Sequence, residues 1–200
     1  MSNSDIVLYG AHIAFWASFG LARLRIRYST RPLPEQARPP IAQREETAPF
    51  SLAMLAIHTF AFAVMYFGVA DAMHSNRAPS WFPGQRVVGG GLIGLGMVLV
   101  WWALAFLRSW RIRAKLAPGH QLTTDGPFRF LRHPIYMGLN LLALGTAFWV
   151  PTATVWAAFI LVVIGSDLRA RAEEAILARA FGAAYVDYCA GTKRFLPGVY

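Results

Sequence analysis

Long apolar stretches are the feature of this sequence that most restricts its fold. Five mainly hydrophobic stretches run along the chain, at residues 6–24, 50–72, 87–107, 131–150 and 152–167. An α-helix needs about 20 such residues to cross the hydrocarbon core of a bilayer. We therefore predict an all-α, polytopic membrane protein with about five transmembrane helices.

The composition agrees with this prediction. Of the 200 residues, 56% are hydrophobic and 14% are charged, whereas a soluble domain carries about 25% charged residues. The length suits one integral membrane domain, in which an amino-terminal three-span part (1–121) precedes a carboxy-terminal part (122–200). The single cysteine, Cys189, excludes an internal disulfide and a zinc site built from cysteines.

The carboxy-terminal part is predicted to form a helical hairpin followed by a tail. Pro151 alone separates the last two apolar stretches, which indicates a tight hairpin tip. From Arg169 onward, charged and apolar residues alternate, so we expect an amphipathic helix at the membrane surface that ends near Gly182. The polar, proline-rich stretch 25–49 is typical of a partly extended loop.

The positions of the basic residues predict the orientation in the membrane. With the spans above, 17 of the 19 Lys and Arg residues fall on one side. The positive-inside rule places that side in the cytoplasm and the amino terminus outside. We expect the membrane to be an inner or plasma membrane. The net charge of +9 is explained by anionic lipid beside these residues, which argues against nucleic-acid binding.

Glycines and histidines inside the spans have simpler interpretations than ligand sites. "GGGLIGLG" (89–96) lacks the preceding strand and following lysine of a phosphate-binding loop. Small residues, including Gly90 and Gly94, instead indicate close helix packing. His12 and His58 are isolated from other metal ligands in the sequence, so no metal site is predicted and their roles stay open.

A polar motif, "LTTDGPFRFLRHPIYMGLNLL" (122–142), opens the fourth apolar stretch. Gly126 and Pro127 predict a turn. Pro134 suits the first turn of a helix, because the backbone N–H that proline lacks has no partner within the helix at that position. The amides of that first turn and the helix dipole favour an anion such as a carboxylate.

Three polar side chains of this motif share one helical face. His133, Tyr136 and Asn140 follow one another at spacings of three and four residues. Gly138 beside them leaves room for a ligand or another backbone, and we expect Asn140 to contact the substrate. The alternative is that Arg132 and its neighbours form a basic cluster that only stabilises the topology.

A second charged motif follows the hairpin. Glu173 and Glu174 come soon after the last apolar stretch, with Arg169 within helical ion-pair reach of Glu173. The hairpin returns these residues to the membrane surface that carries Arg132 and His133. Two clusters of opposite charge at the two ends of one hairpin predict a site for a zwitterionic ligand.

These two motifs resemble those of the isoprenylcysteine carboxyl methyltransferase and phospholipid methyltransferase superfamily of integral membrane enzymes. The resemblance covers residues 122–197. The residues that carry it are Gly126, Pro127, Phe128, Arg132, His133, Pro134, Tyr136 and Gly138, followed by Glu173, Glu174, Phe181, Gly182, Tyr185 and Tyr188. The first three spans are similar only in kind.

The resemblance implies S-adenosylmethionine as the methyl donor. The residues it assigns to the cofactor are Gly126, Pro127, His133, Tyr136, Gly138, Glu173, Glu174 and Tyr185. Arg132 and Arg169 match positions near the methyl-accepting carboxylate of the isoprenylcysteine enzyme, so we assign them catalytic roles. No metal is implied. The methyl acceptor stays open among a prenylated carboxylate, a phospholipid amine and a small thiol.

Two other functions remain to be distinguished from methyl transfer. Membrane sterol reductases share a related carboxy-terminal region and use NADPH. A non-catalytic membrane scaffold could retain the same fold. The short chain and the paired glutamates favour a methyltransferase that acts on an amphiphilic membrane substrate.

Overall fold

The computed structural model describes residues 3–29, 46–47, 51–75, 79–107, 115–116, 122–196 and 198. The helices in these ranges are α1 (Asn3–Ser29), α2 (Ser51–His74), α3 (Gln85–Phe106), α4 (Pro134–Trp149), α5 (Ala153–Phe181) and α6 (Ala183–Gly191), with a 3₁₀ turn at Gly126–Arg129. Two two-residue strands, β1 (Glu46–Thr47) and β2 (Lys115–Leu116), pair antiparallel. The predicted all-α class is confirmed.

The described part of the chain contains four helices that are long and apolar enough to cross a membrane, namely α1, α2, α3 and α5. The fifth apolar helix, α4, has only 16 residues, or ~24 Å at 1.5 Å per residue. It begins at Pro134, the residue predicted in its first turn, and not at residue 131, where the apolar stretch starts, because a proline disfavours helical backbone in the residue before it. His133 accordingly lies outside the helix, with φ −127°.

The last predicted span and the tail helix form one continuous helix. α5 has 29 residues and ends at Phe181, so the last apolar stretch and the predicted amphipathic helix are continuous. No glycine or proline after Gly165 interrupts the sequence before Gly182, which adopts a positive φ of 53°. The predicted end near Gly182 is confirmed, whereas the short α6 that follows was not predicted.

Glycines allow the backbones of α3 and α4 to approach closely. A Cβ on Gly89 would lie 2.6 Å from the Gly145 carbonyl oxygen, and one on Gly96 would lie 2.6 Å from the Gly138 carbonyl oxygen. Both pairs are seven residues apart on each helix. The expected close packing is confirmed, but Gly94 takes no part because a Cβ there would meet nothing within 4 Å.

His12 joins three helices through a buried polar network. Its Nδ1 lies 2.8 Å from the hydroxyl of Tyr66 on α2, and its Nε2 lies 2.9 Å from Oγ1 of Thr146 on α4. Trp16 Nε1 donates to the same Tyr66 oxygen at 2.6 Å. Both His12 nitrogens therefore have partners, which gives this histidine a structural role.

The proline-rich loop predicted at 25–49 falls mostly outside the described residues. α1 continues to Ser29, and β1 lies at the far end of the predicted loop. The partly extended loop expected for the rest of this stretch stays a prediction.

Candidate functional site

The turn before α4 depends on a glycine. Gly126 begins the 3₁₀ turn with a φ of 61°. Residues other than glycine rarely adopt this backbone conformation. A Cβ at this position would also lie 2.6 Å from the ring of Phe106 at the end of α3. Pro127 is fully buried next to it. Both the backbone conformation of the turn and its packing against Phe106 therefore require glycine at position 126.

The residues between the turn and α4 pair with the end of the chain. Arg132 N donates to the Lys193 carbonyl at 2.8 Å, and His133 N donates to the Arg194 carbonyl at 3.2 Å. Leu131 and Lys193 form a parallel β-bridge. This pairing fixes residues 192–196, here called the C-terminal segment, against the start of α4.

Glu174 is the centre of a cluster of basic side chains. Arg132 Nε donates to its Oε1 at 2.8 Å, and Arg194 Nη2 donates to its Oε2 at 2.6 Å. His133 Nε2 lies 3.2 Å from Oε1. Arg132 also donates to the carbonyl oxygens of Cys189 and Thr192. The described contacts of Arg132 therefore hold Glu174, the end of α6 and Thr192.

Glu173 has fewer cationic neighbours than Glu174. The hydroxyl of Tyr136 donates to its Oε1, and His133 Nδ1 lies 3.7 Å from its Oε2. Its side chain is 25% exposed, against 15% for that of Glu174. His133 thus lies between the two carboxylates, and the more accessible carboxylate is Glu173.

Arg169 lies on the face of the Tyr136 ring. Its Cζ is 5.1 Å from the ring centroid, within the range of a cation–π contact, and the residue is only 8% exposed. The ring of His133 lies 5.7 Å from that of Tyr136. The structure therefore brings Arg169 together with the tyrosine and histidine of the first motif.

Gly138 and Asn140 do not join this cluster through described contacts. A Cβ on Gly138 would lie 2.8 Å from the Gly96 carbonyl oxygen, so the room beside Gly138 is filled by the backbone of α3. Asn140 Oδ1 accepts a hydrogen bond from Ser166 Oγ at 2.7 Å. Their predicted cofactor and substrate contacts stay predictions.

The two tyrosines of the second motif lie on α6. Tyr185 is buried, and its hydroxyl oxygen has no hydrogen-bond partner among the described residues. Burial, together with the nearby Glu174 carboxylate, raises the pKa of Tyr185. Tyr188 donates to the Phe128 carbonyl at 2.7 Å, and burial raises its pKa as well. Both side chains are neutral at physiological pH.

Arg194 and Asp167 were not among the predicted site residues. Arg194 Nη1 donates to Asp167 Oδ1 at 3.1 Å while its other nitrogens bind Glu174. Asp167 stands seven residues before Glu174, so helical periodicity indicates the shared face. No comparable signal exists for Arg194, because its position follows from backbone pairing of residues 193 and 194 with residues 132 and 133, far earlier in the chain.

A known protein family matches the region that contains the Arg-His-Pro-x-Tyr and Glu-Glu motifs. The model of the phospholipid methyltransferase family matches residues 85–184, which is half of the chain. The match begins at the start of α3 and includes α4, both glutamates and the whole of α5. A comparison with curated proteins finds no match. In the described part of the chain four helices are long and apolar enough to cross a membrane, and the Arg-His-Pro-x-Tyr and Glu-Glu motifs cluster. Together with the family match, this shows that the chain belongs to the phospholipid methyltransferase family of integral membrane methyltransferases.

Proposed function

We propose that this protein transfers a methyl group from S-adenosylmethionine to the head group of an amphiphile that stays in the membrane. The observation that carries the proposal is the convergence of Glu173, His133, Tyr136 and Arg169 at the start of α4. The family match supports methyl transfer in general. The donor and the acceptor class are the parts proposed here.

The described residues fit the chemistry of the donor. S-adenosylmethionine supplies a methyl group on a positively charged sulfonium, and its amino-acid end carries an ammonium and a carboxylate. Glu173, the more accessible carboxylate, suits a positive charge on the cofactor. The buried hydroxyl of Tyr185, which lacks a partner among the described residues, offers a further hydrogen bond. The motif residues thus provide both charge and unfilled hydrogen-bonding capacity.

The two glutamates support different tasks in this proposal. Glu174 binds Arg132 and Arg194 and thereby holds the C-terminal segment in place. Glu173 accepts a hydrogen bond from Tyr136 and, as the more exposed carboxylate, would meet the cofactor. Gly126, Pro127 and Gly138 act through the backbone by fixing the turn and the α3–α4 packing.

The residues around Tyr136 align the reaction. Methyl transfer is an in-line displacement, so the protein contributes mainly by holding donor and acceptor in register and by excluding water. Arg169 is buried on the Tyr136 ring, where a cation attracts a negatively charged group of the acceptor or cofactor. Arg132 contributes by positioning Glu174 and His133.

We also propose how the protein is oriented in the membrane, from the positions of its basic residues. The basic residues place the amino terminus outside and the site at the cytoplasmic face of an inner or plasma membrane. α5 then carries Glu173 and Glu174 beyond the hydrocarbon core, because its 29 residues span ~43 Å. The substrate head group would meet the cofactor at this cytoplasmic interface.

Titration of the purified protein in lipid nanodiscs tests the proposal. S-adenosylmethionine or its demethylated product should bind with micromolar affinity, on the order of −8 kcal/mol, and labelled methyl should appear in total membrane lipid. Binding of NADPH alone would identify a sterol-type reductase. No binding of any of these ligands would identify a non-catalytic scaffold.

A further inference from the structure

Three buried polar side chains next to the candidate site lie on three different helices. His58 on α2, Asn140 on α4 and Ser166 on α5 are 4%, 9% and 0% exposed. Ser166 Oγ donates to Asn140 Oδ1 at 2.7 Å and lies 3.2 Å from His58 Nε2. We call these three residues the Ser166 network. His58 lies outside the region that the family model matches, so the network connects the amino-terminal part of the chain to α4 and α5.

The hydrogen bonds of Ser166 determine the tautomer of His58. The hydroxyl has one proton, which goes to Asn140, so its oxygen is left to accept from the imidazole. Arg169 already brings a buried positive charge to the Tyr136 ring, and a like charge nearby disfavours the imidazolium. A neutral imidazole with its proton on Nε2 satisfies both conditions. Ser166 therefore fixes the orientation of the His58 ring.

One edge of the His58 ring packs against the backbone of α5. A Cβ added at Gly165 would lie 3.1 Å from Nδ1 and 3.4 Å from Cε1, so the glycine allows the imidazole to approach this closely. Nδ1 has no hydrogen-bond partner among the described residues, and in this tautomer it carries a lone pair and no proton. The packed edge leaves no space for a ligand. Any contribution of His58 to the site therefore passes through the face of its ring.

The face of the His58 ring is directed to Tyr136. The two ring centroids are 6.0 Å apart and the ring planes differ by 24°, a geometry within the range of favourable aromatic pairs. The hydroxyl of Tyr136 donates to Glu173. A sideways shift of the tyrosine would carry its hydroxyl away from this carboxylate, and the stacked imidazole restricts such a shift.

We propose that the Ser166 network positions Tyr136 and thereby holds its hydroxyl on the carboxylate of Glu173. Asn140 and Ser166 orient the imidazole of His58, and the imidazole restricts the tyrosine. Asn140, which the sequence predicted to contact the substrate, acts in this inference through Ser166. The positioning of Tyr136 follows from the contacts above, whereas its effect on S-adenosylmethionine binding rests on the proposed function.

Ser166 and Thr146 provide a matched pair of variants. Both residues are 0% exposed, and each hydroxyl donates to an oxygen while lying close to a histidine Nε2. Ser166→Ala and Thr146→Val each remove one such hydroxyl from the full-length protein. Both should lower the melting temperature in nanodiscs. Because the histidine beside Thr146 is His12, only Ser166→Ala should affect Tyr136.

The hydrogen bond of Tyr136 can be observed without a ligand. In protein labelled with an NMR-active carbon at tyrosine Cζ, the Tyr136 resonance is identified by its loss in Tyr136→Phe. Ser166→Ala should shift this resonance, because the hydroxyl then spends part of the time away from Glu173. Thr146→Val should leave it in place. An unmoved resonance in folded Ser166→Ala, or an equal shift in Thr146→Val, would overturn the proposal.

Calorimetry with S-adenosylmethionine gives the functional readout. Tyr136→Phe should weaken binding about tenfold and Ser166→Ala about threefold, the range expected for one lost hydrogen bond. If Ser166 acts through Tyr136, the double variant should bind no more weakly than Tyr136→Phe alone, because the two residues are coupled. Additive losses would show that Ser166 acts on the fold in general and would contradict the positioning role.

His58→Gln covers the case in which Ser166→Ala does not fold. The glutamine amide keeps a donor for Ser166 near the position of Nε2 but removes the ring beside Tyr136. It should reproduce both the shifted resonance and the non-additive loss with Tyr136→Phe, and an unchanged resonance would again overturn the proposal. Absence of S-adenosylmethionine binding in the wild type would refute the proposed function, whereas the resonance of Tyr136 would still decide the positioning role.

Discussion

Arg194 binds the carboxylate of Glu174 with two of its nitrogens, Nη2 at 2.6 Å from Oε2 and Nε at 3.1 Å from Oε1. Its third nitrogen reaches Asp167 at 3.1 Å. One guanidinium thus connects the C-terminal segment to two carboxylates two turns apart on α5. This contact holds the C-terminal segment to α5, in addition to the backbone pairing that holds it at the start of α4.

Replacing Arg194 with lysine should loosen this connection. Lysine keeps the charge but lacks the planar fork that contacts both carboxylates, so Arg194→Lys should cost about 1–3 kcal/mol. Arg171→Lys is the control, because Arg171 also pairs with Asp167 but is 59% exposed and exposed pairs contribute about 0–1 kcal/mol. Thermal unfolding in nanodiscs measures both. Equal melting temperatures would show that the Arg194 contacts contribute little.

The two glutamates should respond differently to the same substitution. Glu174→Gln removes the carboxylate that Arg132 binds and leaves Arg194 with Asp167, so it should destabilise the protein by about 3 kcal/mol. Glu173→Gln should leave the melting temperature nearly unchanged and weaken S-adenosylmethionine binding, measured by calorimetry. The reverse pattern would assign the cofactor to Glu174 and the structural role to Glu173.

Substitution of Arg132 separates a positioning role from direct contact with the acceptor. Arg132→Lys removes contacts to the Thr192 and Cys189 carbonyls, so the amides of the C-terminal segment should exchange hydrogen faster. Turnover should fall as a consequence, by up to ~10²-fold if the alignment shifts. A loss of turnover with unchanged exchange in residues 192–196 would instead indicate that Arg132 contacts the acceptor.

The glycine contacts between α3 and α4 predict a position-specific effect. Gly96→Ala places a methyl 2.6 Å from the Gly138 carbonyl, and overpacking of this kind costs about 1–3 kcal/mol. Gly91→Ala on the same helix meets nothing within 4 Å and should be neutral or slightly stabilising. Similar melting temperatures for the two variants would mean that the helices can separate without cost.

Local features of the structure were accessible from the sequence, and long-range ones were not. The turn at Gly126, the helix start at Pro134 and the end of α5 near Gly182 follow from the backbone preferences of glycine and proline. Helical periodicity placed Tyr136 and His133 on one face, and the hairpin brought them to Glu173.

Two features needed the three-dimensional structure. The glycines in contact are Gly89 and Gly96, because the rotation of α3 about its axis depends on α4 and is not encoded in glycine spacing alone. Arg194 reaches the site because Lys193 and its own backbone pair with residues 131–133. Such pairing between distant segments leaves no periodic signal in either one.

α4 is six residues shorter than α3 and thirteen shorter than α5, and most of its residues are enclosed by other helices. The first turn of α4, which contains Tyr136, therefore lies deeper in the membrane than the ends of α3 and α5. A head group that reaches this depth remains surrounded by protein while its acyl or prenyl chain stays in lipid. We expect substrate to arrive by lateral diffusion within one leaflet, so that catalysis requires no extraction of a lipid into water.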